Sequence, residues 1–230
     1  MLQQQYEKHN LEMQPYHHYL AEYQKMDPRD ISRQLEIPFD ENTGLFQVRF
    51  MEKNYTVSHP DLEIHCLDEE DSQAVLCSDI HAKILLLRYF TEGDHMRATG
   101  NLLSYRDLPW GEVYYRQFYG RCIMRLARMF GNRLEEFKTV MEGLKGIPKE
   151  YGDMAYEFQF LEDLRLCFVL WTGDEEFPAS AQILFSDNFP VAYAAEDVAY
   201  IGDVVMDYIK RMYVNDPAGL ITTCFIESFF

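Results

Sequence analysis

The sequence predicts an α+β fold: an antiparallel sheet packed with helices, behind a helical N-terminal segment. Three observations carry that expectation. Tyr156, Phe158 and Phe160 alternate, and so do Leu164, Leu166, Phe168 and Leu170, and Ala181, Ile183 and Phe185. Period-two runs joined by short polar turns are the mark of antiparallel strands. The stretch Ile80, Ile84, Leu85, Leu87, Phe90 is apolar almost all round, as a central helix is. Strands cluster along the chain instead of alternating with helices, which separates α+β from α/β.

Taken in order, the first element is a tyrosine-rich helix. Pro15 suits its first turn, and Tyr16, Tyr19, Leu20 and Tyr23 then share one side. Asp27-Pro28 starts a second, short helix that carries Ile31 and Leu35 and ends before Pro38. Phe46, Val48 and Phe50 alternate, Glu52-Lys53-Asn54 turns, and Tyr55 and Val57 return, giving a hairpin. Asp68 to Asp71 reads as a solvated acidic loop. Ser78-Asp79 caps the central helix. A turn-rich stretch from Tyr105 to Gly111 leads to helices at 112–118, 121–130 and 134–144. After the three strands, Val198, Ile201, Val205 and Ile209 line one face of a last helix over about 196–212. The apolar C-terminal tail is expected to dock on the body. One domain over 1–230 follows, with an N-terminal helical segment at 1–36 and the core at 45–215.

The bulk composition narrows the function. The 230 residues are 47% hydrophobic and 26% charged, a globular balance. The 15% aromatic content implies a bulky core, a flat apolar ligand pocket, or both. A net charge of −17 repels phosphate backbones and anionic lipid surfaces, so nucleic-acid and membrane-surface binding are not expected. The five cysteines are scattered and form no Cys-x-x-Cys pair, which fits reduced thiols in a reducing cytoplasm. The N-terminus lacks the basic-then-apolar pattern of a secretory signal, and no apolar run reaches the roughly 20 residues of a membrane helix. A cytoplasmic protein is expected.

Charge inverts between Gly100 and Arg133. Arg106, Arg116, Arg121, Arg125, Arg128 and Arg133 face only Asp107 and Glu112, a net charge of +4 inside an acidic chain. Arginine without lysine suits two-pronged recognition of carboxylate or phosphate. Arg121, Arg125 and Arg128 fall on one helix face, Gly120 precedes that helix, and Tyr114, Tyr115, Phe118 and Tyr119 interleave. The stretch holds a flat anionic molecule, or it pairs with the chain's own acids. A second feature is Trp171 to Pro178, a loop between two strands with Asp174, Glu175 and Glu176 adjacent. Those acids supply an acid–base pair, bind a hard cation, pair with the arginines, or are simply solvated. Among the histidines, His81 on the central helix is the candidate metal ligand. Nucleophile-elbow, Walker and dinucleotide fingerprints do not occur.

Several stretches together resemble a known family. They are Asp27-Pro28 with its helix, the strand pair from Leu45 to Ser58, the helix around Ile84 to Leu87, and Ser104-Tyr-Arg-Asp-Leu-Pro109. The most specific is Trp171-Thr-Gly-Asp-Glu-Glu-Phe-Pro-Ala-Ser-Ala-Gln-Ile-Leu-Phe185. They resemble an uncharacterised family of anaerobe proteins, domain of unknown function 3786. The resemblance covers nearly the whole chain and implies a cytoplasmic protein of an anaerobe. It also implies relatives that carry a cysteine-rich iron–sulfur segment like that of corrinoid proteins, a segment this sequence does not contain.

The leading expectation is a binding protein for a flat, anionic, metal-containing cofactor of haem or corrinoid type. Arg116, Arg121 and Arg125 would hold carboxylates, Tyr115, Tyr119 and Trp171 would line the face, and His81 would ligate the metal. One alternative is an enzyme acting on an anionic small molecule with Glu175 or Glu176 as acid–base group. The other is an interaction module whose Arg face docks a protein partner.

Overall fold

The computed structural model describes residues 2–214, with side chains from residue 13 onward. Helix α1 (Leu2–Tyr23) and α2 (Pro28–Leu35) come first. Tyr16, Tyr19, Leu20 and Tyr23 face the core as expected, and the Tyr23 ring stacks on Phe90 at 5.4 Å. Pro15 lies inside α1 and not in its first turn. The helix begins upstream and runs through the proline, forgoing the one hydrogen bond that residue cannot donate. Asp27 caps α2 as the sequence predicts, its carboxylate accepting from the Arg29 N–H.

The strands are β1 (Phe39–Asp40), β2 (Leu45–Phe50), β3 (Lys53–Ser58) and β4 (Ile64–Cys66). The turn between β2 and β3 is Met51-Glu52, one residue earlier than the polar triplet suggests, and both residues have positive φ, 49° and 63°. That is the backbone a two-residue hairpin needs to follow the strand twist. The acidic loop after β4 is tied down and not merely solvated. Asp71 accepts from the Cys66 N–H at 2.7 Å, Asp68 accepts from the Asn54 N–H, and Glu69 pairs with Lys53.

A single turn, α3 (Val75–Ser78), precedes α4 (Ile80–Glu92), and Asp79 caps α4 by accepting from the His81 and Ala82 N–H groups. Strand β5 (Leu102–Ser104) leads to α5 (Gly111–Phe118). Residues 119–123 form one π turn, and α6 (Met124–Phe130) and α7 (Leu134–Gly143) follow. Next come β6 (Ile147–Lys149), β7 (Met154–Leu161), β8 (Leu164–Trp171), β9 (Ser180–Ser186), α8 (Phe189–Ala192) and α9 (Ala195–Val214).

All strands join one antiparallel sheet in the order β4-β3-β2-β7-β8-β9-β5, with β1 beside β2 and β6 beside β7. The α+β architecture with an N-terminal helix is therefore what the chain adopts. The two hairpin blocks meet at a narrow seam, where β2 and β7 pair only at Phe50 and Leu161. Side chains complete it: the Glu52 N–H donates to Gln159 Oε1 at 2.8 Å, and the Gln159 N–H donates to Glu52 Oε1 at 3.1 Å. One sheet face carries Phe50, Phe158, Phe160, Phe168 and Phe185 into the main core under the helices. Helix α9 packs on α4, α5 and α7, and α4 lies between α1 and α9. Among the described residues, no helix is long and apolar enough to cross a membrane. Cys66, Cys77, Cys122 and Cys167 are free thiols; Cys224 and the apolar tail lie outside the described residues.

Candidate functional site

The arginine stretch is a helix-to-helix contact. Gly120 does not open a helix: α5, the π turn and α6 run on as one helical rod, so no helix N-terminus lies there to receive an anion. The π turn inserts one residue and re-aims the side chains beyond it. Arg121 then pairs with Asp203, its Nε 3.2 Å from Oδ1. One turn on, Arg125 Nη2 lies 2.5 Å from Asp207 Oδ1 and 3.3 Å from the Met206 carbonyl. The rods approach closely because residue 202 is glycine; a Cβ there would sit 2.6 Å from Cys122 Sγ and 2.9 Å from Phe118. Arg106 pairs with Glu112 at 3.2 Å and stacks over Tyr115 at 3.9 Å. Tyr115 and Tyr119 sit with ring centroids 5.8 Å apart. Arg116 and Arg128 are exposed and have no ion-pair partner among the described residues. Of the three arginines expected to hold carboxylates, Arg121 and Arg125 are thus taken by the protein's own.

Of the other expected residues, His81 lies near Arg121, the two against the same Tyr200 ring at 6.4 and 5.7 Å. Trp171 ends β8 opposite Ser180, and its loop is held by Asn132 in the turn after α6, whose Oδ1 accepts from the Gly173 N–H at 3.2 Å. Within that loop Asp174 accepts from the Glu176 and Phe177 N–H groups, and those bonds hold its carboxyl below the usual range. Glu175 and Glu176 project into solvent. His81 is exposed in the first turn of α4, 6.4 Å from the Tyr200 ring, and does not enter the apolar face of its helix. No group of three His, Cys, Asp or Glu suited to a metal occurs among the described residues.

A cavity of about 300 Å³ lies elsewhere, between the end of α4, the turn before α5 and the link from α8 to α9. Its charged wall is Arg88, Glu92 and Asp197. Arg88 interrupts the apolar run Ile84 to Phe90, and Tyr19 stacks on its guanidinium at 5.0 Å. Its Nη1 lies 2.7 Å from Asp197 Oδ1 and its Nη2 2.9 Å from Glu92 Oε2, while Nε is buried without a partner among the described residues. Asp197 sits in the first turn of α9, 4% exposed. Burial lifts its carboxyl to about 6, against the pull of Arg88 and of the Ala194 N–H. The apolar wall is Pro109, Pro190, Val191 and Ala192.

Trp110 stands at the lip of this cavity. The Gly111 N–H closes a turn onto the Leu108 carbonyl at 2.8 Å, with Pro109 second and Trp110 third. Trp110 has φ 64° and ψ 8°, the left-handed conformation that a type II turn demands of its third residue and that normally goes to glycine. Gly111 follows because a Cβ there would fall 1.9 Å from the Tyr105 carbonyl oxygen. Tyr105 in turn donates to the Ala195 carbonyl at 2.6 Å and so docks the turn on the start of α9. The Trp110 side chain is 79% exposed.

The model of the family described as Domain of unknown function (DUF3786) matches residues 27–208. The chain belongs to that family. The matched DUF3786 span contains both the Arg121–Asp203 contact and every residue lining the Trp110 cavity. No curated protein and no solved structure matches the chain.

A tetrapyrrole does not fit these residues. Arg121 and Arg125 are engaged, and the cavity is at the small end of the roughly 300–1,000 Å³ usual for ligand sites. A space of that size has room for one or two rings, not for a macrocycle. The sequence did hold a signal for it: a lone arginine in an apolar helical run needs buried partners. One partner, Glu92, is a helical turn away, but the buried one, Asp197, comes from 109 residues further along the chain, which no local pattern reveals.

Proposed function

We propose that this DUF3786 chain is a cytoplasmic binding protein for a small organic molecule, held in the cavity between Arg88, Trp110 and Asp197. The observation that carries the reading is Trp110. A large aromatic residue in a left-handed turn position costs on the order of 1–2 kcal/mol relative to glycine, and here its ring is mostly in solvent at a cavity mouth. Other non-glycine residues of the chain share the positive φ, but Trp110 combines it with a large exposed ring beside a cavity, which supports a role for the strain in ligand binding. The binding reading formed on the arginine stretch is kept, with a smaller ligand and a different wall.

The test is a ¹H–¹⁵N spectrum of the chain titrated with a small-molecule library. The chain holds two tryptophans, so two indole N–H signals report. Hits should move the Trp110 indole and the amides of 191–197 and leave Trp171 unmoved. Hits that move Arg116, Tyr119 and Arg128 instead would return the site to the arginine stretch, and no hits would reject small-molecule binding.

A second reading is an enzyme acting on the same ligand. Asp197 favours it, because a carboxyl lifted to about 6 at a cavity wall is suited to proton transfer near neutral pH. Asp197 then takes the role expected of Glu175 and Glu176. Asp197→Asn should abolish turnover of a binding hit while retaining its binding; unchanged turnover removes this reading.

A further inference from the structure

The charge and shape of the cavity point to a class of ligand. We infer that its occupant is an organic ammonium, with the cationic nitrogen against the Glu92 carboxylate and the Trp110 ring. The inference rests on the small-molecule reading above and specifies the ligand.

The cavity wall sets one guanidinium against two carboxylates, so it is net negative. Arg88 is already consumed: Nη1 faces Asp197 and Nη2 faces Glu92. The partial positive charge at the start of α9 is covered from within, because Asp197 accepts from the Ala194 N–H. An incoming anion would meet two fixed carboxylates, and the one unsatisfied donor of Arg88, Nε, is buried. A cation finds the opposite. Arg88 reaches only Oε2 of Glu92, and the Glu92 side chain, which the Tyr19 hydroxyl also bonds, is 51% exposed, so its carboxylate is open to a further partner from solvent. Trp110 offers the indole face, the strongest of the aromatic side chains at attracting cations. Pro109, Pro190 and Val191 supply apolar contact for the hydrocarbon part. A chain charge of −17 also raises the local concentration of cations at such a cleft.

Three phenylalkyl probes of similar size and different charge decide it: 2-phenylethylamine, 3-phenylpropanoate and 2-phenylethanol, each titrated by calorimetry into the whole chain. The ammonium is expected to bind about tenfold or more tightly than the carboxylate, with the alcohol between them. Glu92→Gln should remove most of that preference, and Trp110→Ala should weaken the ammonium about three- to tenfold. Glu92 is half exposed, so Glu92→Gln should leave the thermal midpoint nearly unchanged, which separates lost binding from lost folding. If the carboxylate binds as tightly as the ammonium, or Glu92→Gln leaves the preference intact, the ammonium inference falls and the small-molecule reading stands. If no probe binds at millimolar concentration, the ammonium inference falls, and the library titration alone decides the small-molecule reading.

Discussion

Arg121 reaches across from the π turn to Asp203 on α9, two residues 82 positions apart that close the contact between the arginine stretch and the last long helix. The pair is half exposed on the arginine side and largely covered on the aspartate side. Truncating either should therefore cost about 1 kcal/mol, with a coupling of roughly 0.5–1 kcal/mol in a double-mutant cycle. Denaturant melts of Arg121→Ala, Asp203→Ala and the double variant measure it. Ligand affinity at the Trp110 cavity should not change; a loss there would mean that the arginines act on the ligand after all.

Trp110→Gly should separate stability from binding. The substitution relieves the left-handed conformation and removes a side chain that buries little, so the chain should gain about 1 kcal/mol. Binding of any cavity ligand should fall in the same variant. Thermal denaturation and calorimetry on one preparation check both halves, and a variant less stable than the parent would contradict the strain argument.

Gln159→Leu should open the seam of the sheet. The Gln159 side chain accepts from the Glu52 N–H and donates to the Arg49 carbonyl at 2.7 Å, in a place where only 1% of the residue is exposed. Leucine leaves the Glu52 N–H without its partner, while the Arg49 carbonyl keeps the Glu162 N–H at 2.9 Å, so the cost should be about 1–3 kcal/mol. Hydrogen exchange at the Glu52 amide should rise with the loss of stability; unchanged protection would show that the β2–β7 junction is held by other contacts.

Stability should rise on mild acidification. Burial lifts the Glu162 carboxyl to about 7 from an ordinary 4.5, with Arg49 opposing and Asp163 adding to the shift. Asp197, facing Arg88, Glu92 and Glu196, is lifted to about 6. Both bind protons more tightly folded than unfolded, so their contribution is complete at low pH and is lost as pH rises through about 4 to 7. Asp40, Asp71, Asp153, Asp174 and Asp187 shift the other way through their hydrogen bonds and withdraw stability below about pH 4. The maximum is expected near pH 5. Glu162→Gln should flatten the slope between pH 5 and 7 by on the order of 1–3 kcal/mol, read from melts across that range. An unaltered slope would show that Glu162 is ionised throughout.

Local signals settled much of this protein before any fold was known. The alternation of Phe46, Val48 and Phe50, and of the three runs between Tyr156 and Phe185, fixed the strands, because a strand's period is written in adjacent residues. Asp27 and Asp79 fixed two helix starts, because a cap acts on N–H groups two or three positions away. The family was legible in the same residues. What the sequence could not settle was every relation between distant residues. Six arginines in an acidic chain read equally as an anion site or as half of a helix contact, and only the packing of α9 put Asp203 and Asp207 opposite Arg121 and Arg125. His81 sits on an apolar helix in sequence but on its solvent side in space, since the helix is buried by α1 and α9 and not all round. The Trp110 cavity draws on α4, a turn and the start of α9. Its charge balance exists only where those three converge, because electrostatic and apolar contacts depend on distance in space and not on separation along the chain.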